Sequence, residues 1–235
     1  MNDGQRRVVL ITGAAGNLGR ALAQVFRARG DALVLADRSR EALEAAFGAE
    51  SEGQMLAGVD LLDQAAVTAL AASALERFGR IDVLCNVAGG FRMGEAVHET
   101  GDGTWDFLFD LNARSVLHAS RAVVPHMLAR GGGKVVNVGA FSAQRGVAQM
   151  GAYTASKAVV ARLTEAMAAE LRTRGINVNC VLPTIIDTPE NRQAMPDADP
   201  AQWVAPADLA QVIAFLASDA ARAVHGAAVP VTGLS

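Results

Sequence analysis

Cysteine is scarce in this chain, with two among 235 residues. Cys85 and Cys180 both lie in apolar strand-like runs, which excludes a disulfide framework and points to buried free thiols in a reducing compartment. The four histidines (His98, His118, His126 and His225) show no metal-ligand spacing, so no metal is expected and each reads as structural. Blocks of basic residues are absent beyond the pair Arg6-Arg7, and the formal net charge is −3, which argues against a nucleic-acid partner. No apolar run free of charge reaches the ~18 residues of a membrane span. No signal-peptide pattern precedes Val8. A soluble cytoplasmic protein without membrane partners is therefore expected. Internal repeats and low-complexity linkers are lacking too.

What is present is apolar and finely divided. Apolar residues make up 51% of the chain, many of them Ala and Val, which suits helices packed closely on a sheet. A length of 235 residues fits one large α/β domain over 1–235. Seven short Val/Ile/Leu-rich runs read as strands: Arg7–Ile11, Ala32–Ala36, Met55–Val59, Ile81–Asn86, Lys134–Gly139, Ile176–Leu182 and Ala227–Val231. They mostly do not alternate, as expected of strands covered on both faces. Helical patterns separate them near 18–29, 40–47, 63–78, 104–130, 152–174 and 207–218. This alternation predicts a Rossmann-type doubly wound parallel sheet of about seven strands with helices on both faces. Gly79, Gly131 to Gly133 and Gly175 mark helix ends, and Pro125 should kink or interrupt the 104–130 helix. The segment from Pro183 to Pro206 lacks a strand, and its length suggests a lid at about 184–203.

Four stretches carry chemistry. Thr12-Gly13-Ala14-Ala15-Gly16-Asn17-Leu18-Gly19 follows the first strand and opens the first helix. Such a turn brings backbone N–H groups and a helix N-terminus to a pyrophosphate, with glycine where a Cβ would block the approach. Asp37, at the end of the second strand, can accept both hydroxyls of an adenosine ribose and repel a 2′-phosphate, or it can cap the next helix. The adjacent Arg38 could instead hold that phosphate, so NAD is preferred and NADP stays open. Asp60 and the turn Asn86-Val87-Ala88-Gly89-Gly90 end the third and fourth strands, where ligands of open α/β sheets bind; either can also be a plain turn. In Tyr153-Thr154-Ala155-Ser156-Lys157, Tyr153 and Lys157 share a helix face. A fixed ammonium there should lower the phenol pKa and make a usable general acid/base.

Thr12 to Gly19, Asn86 to Gly89, Asn112, Tyr153 to Lys157 and Pro183 to Thr188, in this order, resemble the short-chain dehydrogenases/reductases over about Val8 to Gly233. The resemblance implies hydride transfer between a nicotinamide dinucleotide and a small carbonyl or conjugated imine. It implies that Tyr153 gives or takes the proton, that Lys157 holds the nicotinamide ribose and tunes the phenol, and that Asn112 holds a water in a proton relay. Pro183, Ile186 and Thr188 would run past the nicotinamide carboxamide. Family members usually form dimers or tetramers through the helices near 104–130 and 152–174.

Two positions depart from the family pattern. Its usual glycine is replaced by Asn17, with Gly16 beside it, and its catalytic serine by Ala140. A methyl group donates no hydrogen bond, and losing such a donor typically costs ~10²–10³ in rate. Three answers stand open: Ser142 substitutes, the substrate needs no such donor, or the chain is a catalytically silent dinucleotide-binding sensor. The second is favoured by a narrower resemblance to dihydropteridine reductases, which lack that serine. It rests on Asp187-Thr188-Pro189-Glu190-Asn191-Arg192, Met195-Pro196-Asp197, Trp203 and Ala88-Gly89-Gly90-Phe91. Phe91, Ala140, Phe141, Ser142 and Met150 are the expected pocket residues.

Overall fold

The computed structural model describes residues 6–235, so the reading of the segment before Val8 falls mostly on residues outside those described. Seven strands form one sheet: β1 (Val8–Thr12), β2 (Ala32–Asp37), β3 (Gln54–Gly58), β4 (Val83–Asn86), β5 (Gly133–Val138), β6 (Ile176–Pro183) and β7 (Ala228–Val231). The order is β3-β2-β1-β4-β5-β6-β7, and every neighbouring pair is parallel. Each predicted strand is found, with ends moved by one or two residues.

Burial explains why these strands do not alternate. Along β1, Val9 and Ile11 enter one apolar layer while Val8 and Leu10 enter the other. β2 repeats the split, with Leu33 and Leu35 on one face and Val34 and Ala36 on the other. The first layer is closed by α1 (Asn17–Ala28) and α8 (Pro206–Leu216) through Leu22, Phe26, Leu209 and Ile213. The second is closed by α3 (Gln64–Phe78), α5 (Ser115–Arg130) and the end of α6 (Gly151–Leu171), through Leu70, Ala74, Val123, Met127 and Leu171. Burying one side chain such as Phe26 stabilises the fold by about 1.5–3 kcal/mol. The remaining helices are α2 (Arg40–Phe47), α4 (Asp102–Phe109) and α7 (Pro189–Ala194). No helix among the described residues is long and apolar enough to cross a membrane.

Two expectations need correction. The 104–130 helix is not interrupted at Pro125, which lies within α5. Pro125 leaves the Arg121 carbonyl without its helical donor, and both residues are exposed, so water can serve that carbonyl. The break comes earlier, where one turn of π-helix (Asp110–Arg114) joins α4 to α5. The 183–206 segment is also more regular than expected. Thr188 caps α7 through its hydroxyl, with Pro189 in the first helical turn. At the base of the segment, Ile186 bridges Val204, the Asp187 N–H donates to the Val204 carbonyl at 2.8 Å, and the Val204 N–H donates to Ile185 at 2.9 Å.

Candidate functional site

The carboxyl ends of β1 to β3 carry the glycine-rich turn. Its glycines differ in what they avoid. A Cβ on Gly13 (φ +66°) would lie 2.8 Å from the Ala88 backbone, and one on Gly19 would overlap the Gly13 carbonyl and sit 2.7 Å from Ala14. Those two are required by the chain's own packing. A Cβ on Gly16 would meet only the Gly13 carbonyl, at 3.4 Å. The space over Gly16, at the N-terminus of α1, is therefore open to a ligand's phosphates. Leu18 packs its side chain into the core, which leaves only its backbone for a ligand.

Asp37 is held from two sides: the Ala15 N–H donates to one carboxylate oxygen at 3.0 Å and the Arg38 N–H to the other at 2.7 Å. The capping role considered for Asp37 belongs to Ser39, whose hydroxyl accepts from Ala42 N–H at the start of α2. Arg38 is exposed. Asp60 lies two residues beyond β3, exposed, and accepts from Leu62 N–H at 2.9 Å as an ordinary turn former. Across the gap between β1 and β4, the Thr12 hydroxyl accepts from the N–H groups of Val87 and Ala88 at 3.1 and 3.3 Å. Asn86 donates to Asn137 at 2.8 Å, and its own buried carbonyl oxygen has no partner among the described residues. The Thr12 hydroxyl and Asn137 fix this turn and were not foreseen; Thr12 stood in the quoted motif, whereas Asn137 gave no local signal.

The ends of β4 to β6 bring Tyr153, Lys157, Asn112 and Gly89 together. A Cβ on Gly89 would lie 2.9 Å from both the Asn112 carbonyl oxygen and the Lys157 ammonium. The π-helical turn aims Asn112 inward, where it exchanges two hydrogen bonds with the Gly90 backbone, accepting at 2.8 Å and donating at 3.1 Å. Asn112 also donates to the Ser156 hydroxyl at 3.0 Å, and that hydroxyl donates to the Tyr153 carbonyl at 2.8 Å. Ser156 is thus a positioning residue that the Tyr153–Lys157 stretch contained but spacing alone did not single out.

Electrostatics overturn one expectation. Burial pushes the Tyr153 phenol up to about 12, and Lys157 does not pull it down. The Lys157 amine is itself buried, is drawn down to about 8 by desolvation, and donates to the Val138 carbonyl at 2.9 Å. The shared helix face is present, but burial decides the sign.

Two of the expected pocket residues, Phe91 and Met150, lie beside Tyr153. Phe91 meets its ring edge-on at 4.8 Å between centroids and is 54% exposed, so it is no core residue. Met150 precedes α6 and shares a small cavity with Tyr153, Met93 and Leu108. Ala140 is buried, and Phe141 is 40% exposed. β5 ends at Val138, and Phe141–Gln144 form a 3₁₀ turn, so Ser142 does not continue the strand face of Ala140. The strand argument for Ser142 as a replacement donor therefore fails. Pro183 closes β6 beside Val231.

Comparison with known proteins agrees with this arrangement. The family profile described as short chain dehydrogenase matches residues 7–199. The chain is similar to 2-(R)-hydroxypropyl-CoM dehydrogenase of Xanthobacter autotrophicus (strain ATCC BAA-1158 / Py2), with 33% identity over 97% of both chains. It is similar to cis-4-hydroxycyclohexanecarboxylate dehydrogenase of Sinomonas cyclohexanicum, with 35% identity over 97% of this chain and 95% of that one. The crystal structure of NAD+-bound xylitol dehydrogenase superposes with a TM-score of 0.88 at 27% identity, covering 99% of this chain and 100% of that one. With its parallel sheet, its glycine turn and the Tyr153–Lys157–Asn112 cluster in place, the chain belongs to the short-chain dehydrogenase family and is an NAD(P)-dependent oxidoreductase.

Proposed function

We propose that the protein interconverts a compact, largely apolar secondary alcohol and its ketone, the nicotinamide dinucleotide supplying or taking the hydride when bound. The convergence of Lys157 and Asn112 on Gly89, with Tyr153 one helical turn before Lys157 and edge-on to Phe91, carries this reading. The Tyr153 hydroxyl exchanges the proton. With its pKa raised by burial it stays protonated at neutral pH, which suits donation to a forming alkoxide. Lys157, charged below about 8, and the Asn112 carbonyl oxygen lie on the same side of the turn at Gly89, a donor beside an acceptor.

Gly13, Gly16, Asn17, Leu18 and Gly19 would hold the pyrophosphate through backbone amides. Asp37 would take the adenosine ribose, which favours NAD over NADP because a 2′-phosphate would meet a carboxylate. That xylitol dehydrogenase was crystallised with NAD+ is consistent with this choice. Asn86, Ala88, Pro183, Ile186 and Thr188 would line the nicotinamide side, with 184–203 as the lid.

The substrate class follows from the rim. The Ala140 side chain offers no hydrogen bond, and Phe91 and Phe141 present exposed rings. The two relatives above are named for a hydroxypropyl compound and a hydroxylated cyclohexane acid. A second reading rests on the same Ala140 and on the Phe91 ring beside Tyr153: a flat conjugated imine such as quinonoid dihydropterin, already electrophilic, would need only the proton. Neither relative is named for a pterin, which supports the alcohol–ketone reading over this one. NADH oxidation measured across alicyclic ketones and quinonoid dihydropterin separates the two. A dimer or tetramer built through α4–α5 and α6 belongs to the same proposal, supported by the exposed Trp105 and Leu117 on those helices.

Tyr153→Phe tests the proton role. Turnover should fall by about 10²–10⁴-fold, while fluorescence titration shows unchanged NADH affinity. A variant that kept most of its turnover would remove Tyr153 from the chemistry.

A further inference from the structure

Asn17 stands where the family pattern has a glycine, and its side chain reaches across the molecule. Its carboxamide N–H donates at 2.9 Å to the Glu190 carboxylate, in the first turn of α7. Among the described residues this is the hydrogen bond that joins the tip of the 184–203 segment to the glycine-rich turn; the other bonds of that segment lie within it or at its base. The position is chemically apt. α1 has no acidic residue in its first turn and no side chain capping its N-terminus, so its positive end is uncompensated from within. Glu190 brings a carboxylate to that end, with the Arg20 guanidinium adding a favourable charge. Arg20 is itself folded back on the turn, donating to the Ala15 carbonyl at 2.6 Å.

α7 is braced for this contact. Asp187 and Arg192 form a paired salt bridge at 2.6 and 2.7 Å, and the Asn191 side chain donates to the Ile186 carbonyl at 2.8 Å. These bonds tie the helix to the stem of the segment, and Glu190, in its first turn, meets the opposite wall. A glycine at 17 would offer no side chain for it to grasp.

We propose that Asn17 and Glu190 form a clasp that holds the lid closed over the bound dinucleotide and sets how fast the cofactor leaves. The two side chains act through the lid, as positioning residues that bear on residence time. The inference rests on the reading of 13–19 as the dinucleotide turn and 184–203 as the lid.

The test is stopped-flow release of NADH, preloaded on the protein and chased with excess ADP-ribose. Glu190→Ala should speed release by about three- to tenfold, the range of an ordinary solvent-exposed hydrogen bond. Asn17→Gly should speed it too, and adding Glu190→Ala to Asn17→Gly should change the rate less than twofold, because the second substitution has no partner left to lose. Glu190→Gln, which keeps an acceptor without the charge, should fall between. Single-turnover hydride transfer should be unaltered in Glu190→Ala. Unchanged release in Glu190→Ala, or effects of the two substitutions that multiply independently, would overturn the clasp while leaving the dinucleotide site intact. Failure of the unsubstituted protein to bind NADH would instead overturn the parent reading, and the clasp with it.

Discussion

The two halves of the sheet's carboxyl edge are built by opposite means. Over β1, β2 and β3 the site is main chain against main chain. Gly13 touches the Ala88 backbone, Gly19 touches the Gly13 carbonyl, and Asp37 is gripped by two amide N–H groups. Over β4, β5 and β6 the wall beyond Tyr153 is made of large side chains with much of their surface exposed, Phe91, Met93 and Phe141 among them. The first half leaves no room for a side chain at Gly13 or Gly19 and so presents one fixed shape, which suits a ligand that never changes. The second half can be recut without disturbing the core, which suits a ligand that differs from one enzyme to the next. On the proposed reading, the adenosine and pyrophosphate of the cofactor would meet the first half, and its nicotinamide and the substrate the second.

That contrast can be broken or sharpened by substitution, starting with the largest effect. Gly19→Ala forces a methyl group into the Gly13 carbonyl and should lower stability by about 1–3 kcal/mol in urea unfolding, with dinucleotide binding lost. If the variant is as stable as the parent, the first half is not rigid in the sense described.

Next comes the buried amine between the halves. Lys157 is held at about 8 when folded, against 10.5 when free. Between those values the unfolded chain binds more protons, so stability should climb with pH, by about 2 kcal/mol from pH 7 to about 9.5. Above pH ~10 the Tyr153 phenol, raised to about 12, works the other way. Lys157→Met should flatten the climb, and an equal slope in both proteins would show the amine to be well solvated.

A smaller effect is expected on the substrate side. Phe91→Ala should raise KM for a ring ketone about tenfold, with melting temperature within a few degrees, since about half of that residue is exposed. A large loss of stability would make Phe91 part of the core after all. Smallest is Gly16→Ala. Its methyl has room within the protein, so stability should stay within about 0.5 kcal/mol while NADH binds several-fold more weakly. Isothermal titration beside thermal melting reads both quantities.

The strands and most helices were legible because burial on both faces leaves a plain mark: short apolar runs divided by glycine-stopped helices. Gly79, Gly131 and Gly175 do sit at those stops, all three in the left-handed conformation. α7 was missed although Thr188-Pro189-Glu190 spells a cap, a proline suited to the first turn and an acid near the N-terminus; six residues carry too little periodicity to be seen. Pro125 does not end the helix, because the carbonyl it frees lies on an exposed face where water can serve it. At the site, spacing identified Tyr153 and Lys157 as neighbours but gave no measure of the dryness around them, and dryness set the direction of both pKa shifts. The Asn17–Glu190 contact spans 173 positions and has no local trace.

Asn112 shows what one extra residue in a helical turn can accomplish. A carboxamide carries the same donor–acceptor pair as a peptide unit, and here it faces Gly90 as a neighbouring strand would, one bond in each direction. A side chain thus impersonates a strand just beyond the point where β4 ends. Aspartate in its place would copy the outline yet lose the donor, leaving the Gly90 carbonyl and the Ser156 hydroxyl without a proton to accept. The reach of the sheet past its last residue therefore depends on a single amide nitrogen.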